Sequence, residues 1–332
     1  MNILLTGGAG YLGSAICSAL ADAGHKIIII DLSVISGERL PQGQACFYQG
    51  DFADETLLNE IFAEHSVDIA IHCAEIPTPY KSLENPYDYY VSNVFKSMQF
   101  FKYLRSKGCR KIIFSSSAYI YDEVSGFKVT ENSPLAPRSP FARAKNMTEM
   151  ILKDFCFAYD MKAITFRYFN PVGADPFLRS GMHEKNPRNI LSMLLRAVET
   201  DGVFKIAGTD WNTRDGTCIR DYIHVWDAAL ANVQAVANFD SAFELADETE
   251  KHYLALNIGS GLDVTVKEFI IAFENIYGQK VNVEEAPRRP GDYAGCYADV
   301  LKADKLIAWR AQRSIEEGII DALRWEEQLA LR

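Results

Sequence analysis

The chain has 332 residues, of which 48% are hydrophobic and 23% are charged, and its formal net charge at pH 7 is −10. A chain of this length fills more than one small core, so we expect two lobes or one large α/β unit. The acidic balance, without runs of Lys and Arg, argues against nucleic acid and anionic membranes as partners. An anionic ligand must therefore be held by local Arg and Lys side chains and by helix N-termini.

Neither a membrane-spanning segment nor a targeting segment is predicted. No apolar run approaches the roughly 18 residues that a membrane span needs, and the opening MNILLTGG is typical of a short strand that runs into glycines. The seven cysteines are scattered without a C-x-x-C pair, and the six histidines lack ligand spacing. These features predict a cytoplasmic protein in a reducing compartment, with no structural zinc and no other metal site.

The first half of the chain alternates between apolar runs and amphipathic helical patterns. Uninterrupted apolar strands separated by helices predict a doubly wound parallel sheet covered on both faces, the Rossmann type of α/β fold. After about residue 170 the alternation ends, and prolines separate mixed helices and short strands. This change predicts a smaller mixed α/β lobe at the carboxyl edge of the sheet. The predicted strands are 2–6, 26–31, 45–51, 67–74, 110–117 and 162–168, and the predicted helices are 12–24, 54–65, 86–107 and 140–159.

A glycine-rich loop joins the first predicted strand to the first predicted helix. In TGGAGYLGS the small residues let the backbone approach a pyrophosphate, and the helix N-terminus supplies N–H groups. Asp31 ends the next strand, where a carboxylate can accept both ribose hydroxyls and repel a 2′-phosphate, so NAD is favoured over NADP. The alternative is a tight strand–helix turn without a ligand. The glycines are Gly7, Gly10 and Gly13, and Asp51 and Phe52, after the third strand, either frame the adenine or form only a turn.

Polar side chains follow the later strands. Ser117 closes one strand after two other serines, Lys145 lies on the following helix, and Asn170 ends the strand after that. Each has an ordinary interpretation on its own, as a turn serine, a surface lysine or a loop asparagine. Because the carboxyl ends of parallel strands meet at one edge of the sheet, together with the glycine loop they predict a reacting centre. Phe141 lies four residues before Lys145, one turn away on the same helix face.

These features together resemble the UDP-glucose 4-epimerase family of the extended short-chain dehydrogenase/reductase superfamily. The resemblance runs nearly end to end, and its last four motifs are together highly specific. It implies C4 epimerisation of a UDP-hexose or a UDP-N-acetylhexosamine through a 4-keto intermediate, with NAD as the cofactor. It also implies a homodimer built on the helices over 86–107 and 140–159. The motifs are TGGAGYLGS (6–14), HCA (72–74), NPYDYYVSNV (85–94), FSSSA (114–118), RYFNPVGA (167–174), GTCIRDYIHVWD (216–227) and APRRPGD (286–292).

The resemblance implies a catalytic trio, one member of which is altered. In the family, a Ser at the position of Ser117 and a Tyr four residues before a Lys, here Lys145, flank the C4 hydroxyl of the sugar. The Tyr takes the hydroxyl proton while hydride passes to NAD+, and the Lys binds the nicotinamide ribose and lowers the tyrosine pKa. This chain has Phe141 at the Tyr position, and loss of a general base costs about 10²–10⁴ in rate, which implies strongly impaired turnover. Phe141 is either an engineered Tyr→Phe change that traps substrate or natural in a relative that has lost or relocated its base.

The resemblance also assigns domains and ligand contacts. It places NAD mainly on residues 1–170, to which 218–240 and 253–260 return, and the UDP-sugar mainly on 171–332. The NAD contacts that it implies are Gly7, Gly10, Tyr11, Leu12, Gly13, Asp31, Asp51, Phe52, Cys73, Ala74, Asn93, Lys145 and Tyr168. The implied UDP-sugar contacts are Ser117, Asn170, Asn189, Phe204, Lys205, Ile206, Arg220, Arg289, Asp292 and Cys296, with the two arginines on the diphosphate.

Two positions bear on the phosphates and on the choice of sugar. Pro77 stands where the family usually has a Lys near the phosphates, and either Lys81 replaces that charge or the charge is missing. Cys296 aligns with a position that lines the hexose pocket, where a bulky Tyr accompanies plain hexoses. A small residue there leaves room for an N-acetyl group, so Cys296 either admits UDP-N-acetylhexosamines or is only a small core residue.

Other functions compete with epimerisation. Related dehydratases carry an Asp-Glu pair just after the position of Ser117, and here Ala118 and Tyr119 provide no acid, which argues against 4,6-dehydration. A non-catalytic sensor or scaffold that binds NAD and a nucleotide sugar agrees with Phe141. It agrees less well with the preserved diphosphate and uracil segments, which such a protein does not need. Another sugar-nucleotide modifying enzyme of the superfamily is the third alternative.

Overall fold

A computed structural model of the chain describes residues 1–33, 41, 43–182 and 189–331. Its strands are β1 (Asn2–Thr6), β2 (Lys26–Asp31), β3 (Ala45–Gln49), β4 (Ile69–His72), β5 (Lys111–Ser117), β6 (Lys128–Val129), β7 (Lys162–Tyr168), β8 (Asn170–Val172), β9 (Phe204–Ala207), β10 (Ile219–Arg220), β11 (Tyr222–His224), β12 (Tyr253–Ile258), β13 (Val264–Thr265), β14 (Val283–Ala286) and β15 (Gly295–Ala298). Its helices are α1 (Tyr11–Asp22), α2 (Glu55–Glu64), α3 (Lys81–Glu84), α4 (Pro86–Tyr90), α5 (Ser97–Ser106), α6 (Pro140–Tyr159), α7 (Ile190–Glu199), α8 (Val225–Ala237), α9 (Phe239–Leu245), α10 (Val266–Tyr277), α11 (Leu301–Ile307) and α12 (Ile315–Ala330).

Seven strands form one sheet in the spatial order β12-β7-β5-β4-β1-β2-β3. Every neighbouring pair in it runs parallel. The strands in its middle are apolar and buried on both faces, which is why their sequences do not alternate with polar residues. The predicted doubly wound Rossmann-type sheet is therefore confirmed. Strand β12 comes from the second half of the chain and pairs with β7 at the edge of the sheet.

Helices cover both faces of this sheet. On one face α1 packs against α8 through small buried side chains, among them Ala15, Ala19, Ala228 and Ala229, which let the two helices approach closely. On the other face α2, α5 and α6 contribute larger side chains, such as Phe100, to a second core. None of the helices that the structure describes is long and apolar enough to cross a membrane.

The helix predicted over 86–107 is interrupted in its middle. It consists of α4, a π-helical turn over Val91–Lys96, and α5. Within that turn, the Asn93 carbonyl accepts hydrogen bonds from the hydroxyls of Ser97 (3.1 Å) and Thr148 (2.7 Å). Side-chain donors to a helix carbonyl accompany such local widening, which is frequent at functional sites. The helix predicted over 140–159 is present as α6, and Ser139 caps it as expected.

The second lobe follows β7. It includes the parallel pair of β9 and β14, the helices α7, α10 and α12, and a core of its own. A further four-stranded sheet has the order β13-β10-β15-β6. The short strand β8 continues from β7 and pairs with β11, which links the lobe to the carboxyl edge of the large sheet.

Candidate functional site

A cavity of about 740 Å³ opens at the carboxyl ends of the parallel strands. Its lining joins the glycine loop after β1 to Glu75 after β4, Ser117 at the end of β5, and Phe141 on α6. It continues to Arg220 and Asp292 in the second lobe. The carboxyl edge of such a sheet is where α/β proteins bind their ligands, and this volume lies within the usual range of ligand pockets.

The glycine loop is shaped so that side chains cannot be added to it. Gly7 has φ +75°, and a Cβ atom there would lie 2.7 Å from the backbone nitrogen of Ala74. A Cβ atom on Gly13 would lie 2.0 Å from the Gly7 carbonyl oxygen. Helix α1 begins directly after Gly10, which has no side chain to cap it, so its first N–H groups are left for a ligand. The loop therefore fits a pyrophosphate.

Asp31 lies at the end of β2 beside this loop. Its carboxylate accepts hydrogen bonds from the backbone N–H groups of Ala9 and Ser33, both at 2.9 Å. These bonds fix the carboxylate at the rim of the cavity, and each oxygen retains a lone pair for a further donor. The position suits recognition of the two hydroxyls of a ribose.

Three predicted residues meet in the middle of the cavity region. Ser117 and Phe141 line the cavity, and Lys145 is buried beside them, with 3% of its surface exposed. The Lys145 ammonium donates to the carbonyl oxygen of Ser115 and lies 5.9 Å from the centre of the Phe141 ring. The ring of Tyr119 meets the Phe141 ring edge-on, with 6.4 Å between their centroids. The structure thus brings the predicted trio together.

Sequence reasoning missed Glu75, which forms an ion pair with Lys145. The carboxylate lines the cavity, and 21% of its side-chain surface is exposed. Burial raises the pKa of Glu75 above its ordinary value, and the adjacent Lys145 charge opposes that rise. The available signal was the position itself, since an acid that follows HCA directly must lie at the carboxyl end of β4.

Most of the residues assigned to NAD line the cavity. The exceptions are Lys145, already described, and two others. Asp51 pairs with Lys96, and the Asn93 amide makes two hydrogen bonds to the backbone of Ile76, at 2.9 and 3.1 Å. Asn93 therefore holds the loop that carries Glu75. The lining residues of this group are Gly7, Gly10, Tyr11, Leu12, Gly13, Asp31, Phe52, Cys73, Ala74 and Tyr168.

The other end of the cavity is polar and basic. Burial raises the pKa of Asp292, and the charges of Arg220 and Arg289 oppose that rise. Cys296 is absent from the lining and lies behind it, with its Sγ atom 3.2 Å from the Tyr293 hydroxyl. The predicted UDP-sugar contacts that line the cavity are Ser117, Asn170, Asn189, Phe204, Lys205, Ile206, Arg220, Arg289 and Asp292, and both Pro77 and Lys81 line it as well.

The chemistry of this lining suits a ligand with a phosphate group at its centre. The Arg220 guanidinium is held above the Tyr293 ring, 5.0 Å from its centroid, and donates to the Ile219 carbonyl at 2.8 Å. Lys205 and Arg289 add two more cations to the same cavity in an acidic chain. Within the described part of the chain, no group of three His, Cys, Asp or Glu side chains comes together as metal ligands.

Comparison with known proteins shows the family to which the chain belongs. A model described as the NAD dependent epimerase/dehydratase family matches residues 3–255. The chain is 36% identical over 339 residues to a UDP-glucose 4-epimerase of Bacillus subtilis, which covers 98% of this chain and 97% of that protein. It is 34% identical over 344 residues to a UDP-glucose 4-epimerase of Drosophila melanogaster, which covers 98% of this chain and 97% of that protein.

Solved structures give the same picture. The fold is similar to that of a UDP-glucose 4-epimerase from Bifidobacterium longum in complex with NAD+ and UDP, with a TM-score of 0.90, 32% identity, and 99% and 98% of the two chains covered. It is also similar to a UDP-Glc/GlcNAc 4-epimerase from Campylobacter jejuni, with a TM-score of 0.81, 32% identity, and 98% and 99% of the two chains covered.

Proposed function

Since the chain belongs to the NAD-dependent epimerase/dehydratase family, we propose that it epimerises a UDP-hexose at C4 through a 4-keto intermediate. NAD is the cofactor, and the activity is of the UDP-glucose 4-epimerase type. One observation carries the proposal. A single cavity is lined by the glycine loop, which fits a pyrophosphate, and by Asp31, which suits the hydroxyls of a ribose. The same cavity is lined by Ser117 and by the cations Arg220 and Arg289.

In this proposal the chain's own residues bind and orient the two nucleotides. The glycine loop and Asp31 would hold NAD, which would supply a hydride acceptor and then a hydride donor for C4 of the sugar. Ser117 donates a hydrogen bond to the C4 oxygen, and Lys145 holds positive charge beside the reacting carbon. Arg220 and Arg289 neutralise the diphosphate, so the hexose can turn between the two hydride transfers while the nucleotide stays bound.

We propose further that turnover is strongly impaired, because Phe141 has no exchangeable proton. The test is to follow UDP-glucose and UDP-N-acetylglucosamine by NMR in the presence of this chain and of Phe141→Tyr. Conversion by either form supports an epimerase. If neither form converts either sugar while NAD and the UDP-sugars bind, a non-catalytic sensor or a different sugar-nucleotide chemistry takes its place.

A homodimer is part of the proposal. The helices α4 to α6 carry large exposed apolar side chains, including Tyr87 (73% exposed), Phe95 (51%), Met150 (60%) and Phe157 (52%). Because α4, the π-helical turn and α5 all pack against α6, we propose that these side chains lie on one surface, and large exposed apolar patches mark interaction surfaces.

Asp31→Ala is expected to weaken NAD+ binding by about 10-fold or more, because hydrogen bonds to a charged group contribute about 1.5–3 kcal/mol. The variant should also discriminate less against NADP+, since the carboxylate that repels a 2′-phosphate is gone. Calorimetric titration with both nucleotides measures both effects. Glu60→Ala, which removes an exposed carboxylate from α2, serves as the control. If Asp31→Ala binds NAD+ with unchanged affinity, Asp31 does not bind the ribose hydroxyls.

Cys296→Tyr is expected to lower kcat/KM for UDP-N-acetylglucosamine relative to UDP-glucose by about 10-fold or more. A group that no longer fits its pocket costs about 1–3 kcal/mol. Cys296→Ala keeps the position small and should leave that ratio near its starting value. Both variants are measured in the Phe141→Tyr background, where we expect faster turnover. An equal loss for both sugars would indicate a packing defect and count against a role in sugar selection.

A further inference from the structure

Three acidic side chains line the described cavity: Asp31, Glu75 and Asp292. Asp31 lies at the ribose end, where two backbone N–H groups hold it. Asp292 faces Arg220 and Arg289 at the diphosphate end. Glu75 is the third acid, and its partner Lys145 lies 5.9 Å from the Phe141 ring centre and donates to the Ser115 carbonyl, two residues before Ser117.

The surroundings of Glu75 leave it able to accept a proton. Its carboxylate pairs with Lys145, whose ammonium also lies 5.9 Å from the Phe141 ring centre. No other residue in the described part of the chain donates a hydrogen bond to this carboxylate, and the Glu75 side chain lines the cavity with 21% of its surface exposed. Asn93 fixes the backbone of Ile76, the residue after Glu75, by two hydrogen bonds. The backbone that carries the Glu75 side chain is therefore held in place.

The phenols near Phe141 are less suited to this role. Burial raises the pKa of Tyr119 away from neutrality, which makes its hydroxyl a weaker acid than an ordinary tyrosine. The Tyr121 hydroxyl is engaged by Asn257 at 2.6 Å and by Arg167 at 3.0 Å, and this residue is absent from the cavity lining. A carboxyl whose pKa is raised toward neutrality is a better base at neutral pH than either phenol.

We propose that Glu75 is the catalytic base that carries the residual epimerisation of this chain, an inference that rests on the proposed function. In the first half of the reaction the O4–H bond breaks and the proton passes to a Glu75 carboxylate oxygen. The C4–H bond breaks with its electron pair, which reduces NAD+ to NADH, and C4 becomes a ketone. In the second half the 4-keto sugar is reduced on its other face, NADH is oxidised to NAD+, and Glu75 returns the proton to O4.

The groups that face Glu75 set its pH dependence. Lys145 on α6 is cationic and favours the carboxylate, whereas Cys73 after β4 and Tyr89 on α4 have pKa values raised by burial and stay neutral. Because a base must be deprotonated to act, kcat should fall as the pH drops through the raised pKa of Glu75. That acid limb should disappear when Glu75 is replaced by an amide.

The experiment compares four holoproteins: the chain itself, Glu75→Gln, Phe141→Tyr and the double variant. We expect Glu75→Gln to slow epimerisation by 10-fold or more where Phe141 is present, and by less than 3-fold where Tyr supplies a second base. Glu84→Gln, which neutralises an exposed acid on α3, should have no effect. An equal loss in both backgrounds would mean that Glu75 only positions Lys145, and the proposal would be wrong.

A second readout does not depend on turnover. Infrared spectra of the NAD-loaded chain, taken as the pH is lowered, should show a carboxylic acid carbonyl band that grows over the pH range in which kcat falls. The band should be missing in Glu75→Gln and retained in Glu75→Asp, which keeps the carboxylate if the amide variant fails to fold. A band that persists in a folded Glu75→Gln protein overturns the assignment. If Phe141→Tyr does not epimerise either sugar, the proposed epimerase function is wrong. That outcome is distinguishable from failure of the Glu75 proposal, which requires an active Phe141→Tyr variant.

Discussion

Phe141→Tyr is expected to raise kcat for C4 epimerisation by about 10²–10⁴-fold, which corresponds to about 3–5 kcal/mol of barrier. Phe141 is 4% exposed but lines the cavity, so we expect the added oxygen to fit on the side of the ring that meets the cavity. The phenol would lie near the Lys145 ammonium, whose charge favours the phenolate and lowers the tyrosine pKa. A tyrosine in this position would therefore carry a larger fraction of phenolate at neutral pH than an exposed one, and would be the more effective general base.

Because the phenol acts on the reacting hydroxyl, we expect the gain in kcat with little change in KM. NMR of the two C4 epimers measures the rate at several substrate concentrations. Phe177→Tyr makes the same chemical change at a residue that is 70% exposed and does not line the cavity, and it should leave the rate unaltered. If Phe141→Tyr binds NAD and UDP-glucose normally but is no faster than the unaltered chain, the missing-phenol explanation is wrong.

Glu149→Ala is expected to lower the free energy of unfolding by about 3–5 kcal/mol, because it leaves a buried cation without its partner. Glu149 on α6 is 5% exposed and accepts hydrogen bonds from Arg167 on β7, at 2.8 and 3.2 Å. The hydroxyls of Ser116 and Tyr253 donate to the same carboxylate. Because the pair of Glu149 and Arg167 is buried and Glu149 accepts these further hydrogen bonds, removing Glu149 alone is strongly destabilising.

Urea unfolding followed by circular dichroism measures the loss, as a lower midpoint with an unchanged slope. Asp154→Ala removes an exposed carboxylate from the same helix and should change stability by no more than about 0.5 kcal/mol. Replacing the pair together, with Glu149→Leu and Arg167→Met, should recover much of the loss, since no unpaired charge remains. A loss below about 1 kcal/mol in Glu149→Ala would mean that Arg167 is solvated or paired elsewhere.

The parts of the fold that depend on local pattern could be predicted from the sequence. The strand over 162–168 was predicted with its observed bounds, and so was the strand over 2–6, because runs of apolar residues bounded by turn signals determine them. The glycine loop was predictable because its spacing lies within one strand–helix connection, whereas the close approach of Gly7 to Ala74 after β4 joins distant segments and was not.

Contacts between distant segments could not be predicted in this way. Glu75 meets Lys145 only because β4 lies next to β5 and α6 packs over them, a placement that no local spacing encodes. The pair of Glu149 and Arg167 depends on the same packing. The placement of Cys296 behind the cavity lining likewise follows from its tertiary neighbours, although its burial could be expected from residue type.

The two hydrogen bonds between the Asn93 amide and the Ile76 backbone also bear on how this site can change in evolution. The amide of Asn93 accepts a hydrogen bond from the backbone N–H of Ile76 and donates one to its carbonyl, so both bonds are to the backbone of that loop. Substitutions at neighbouring positions can therefore alter the chemistry presented to the cavity while the path of the loop is preserved. The chain carries two such positions, with a carboxylate at Glu75 and a ring without a backbone donor at Pro77. Asn93 in the π-helical turn thus holds the loop backbone whatever side chains the loop carries. The reactive groups at positions 75 and 77 can therefore change in evolution while the path of the loop stays the same.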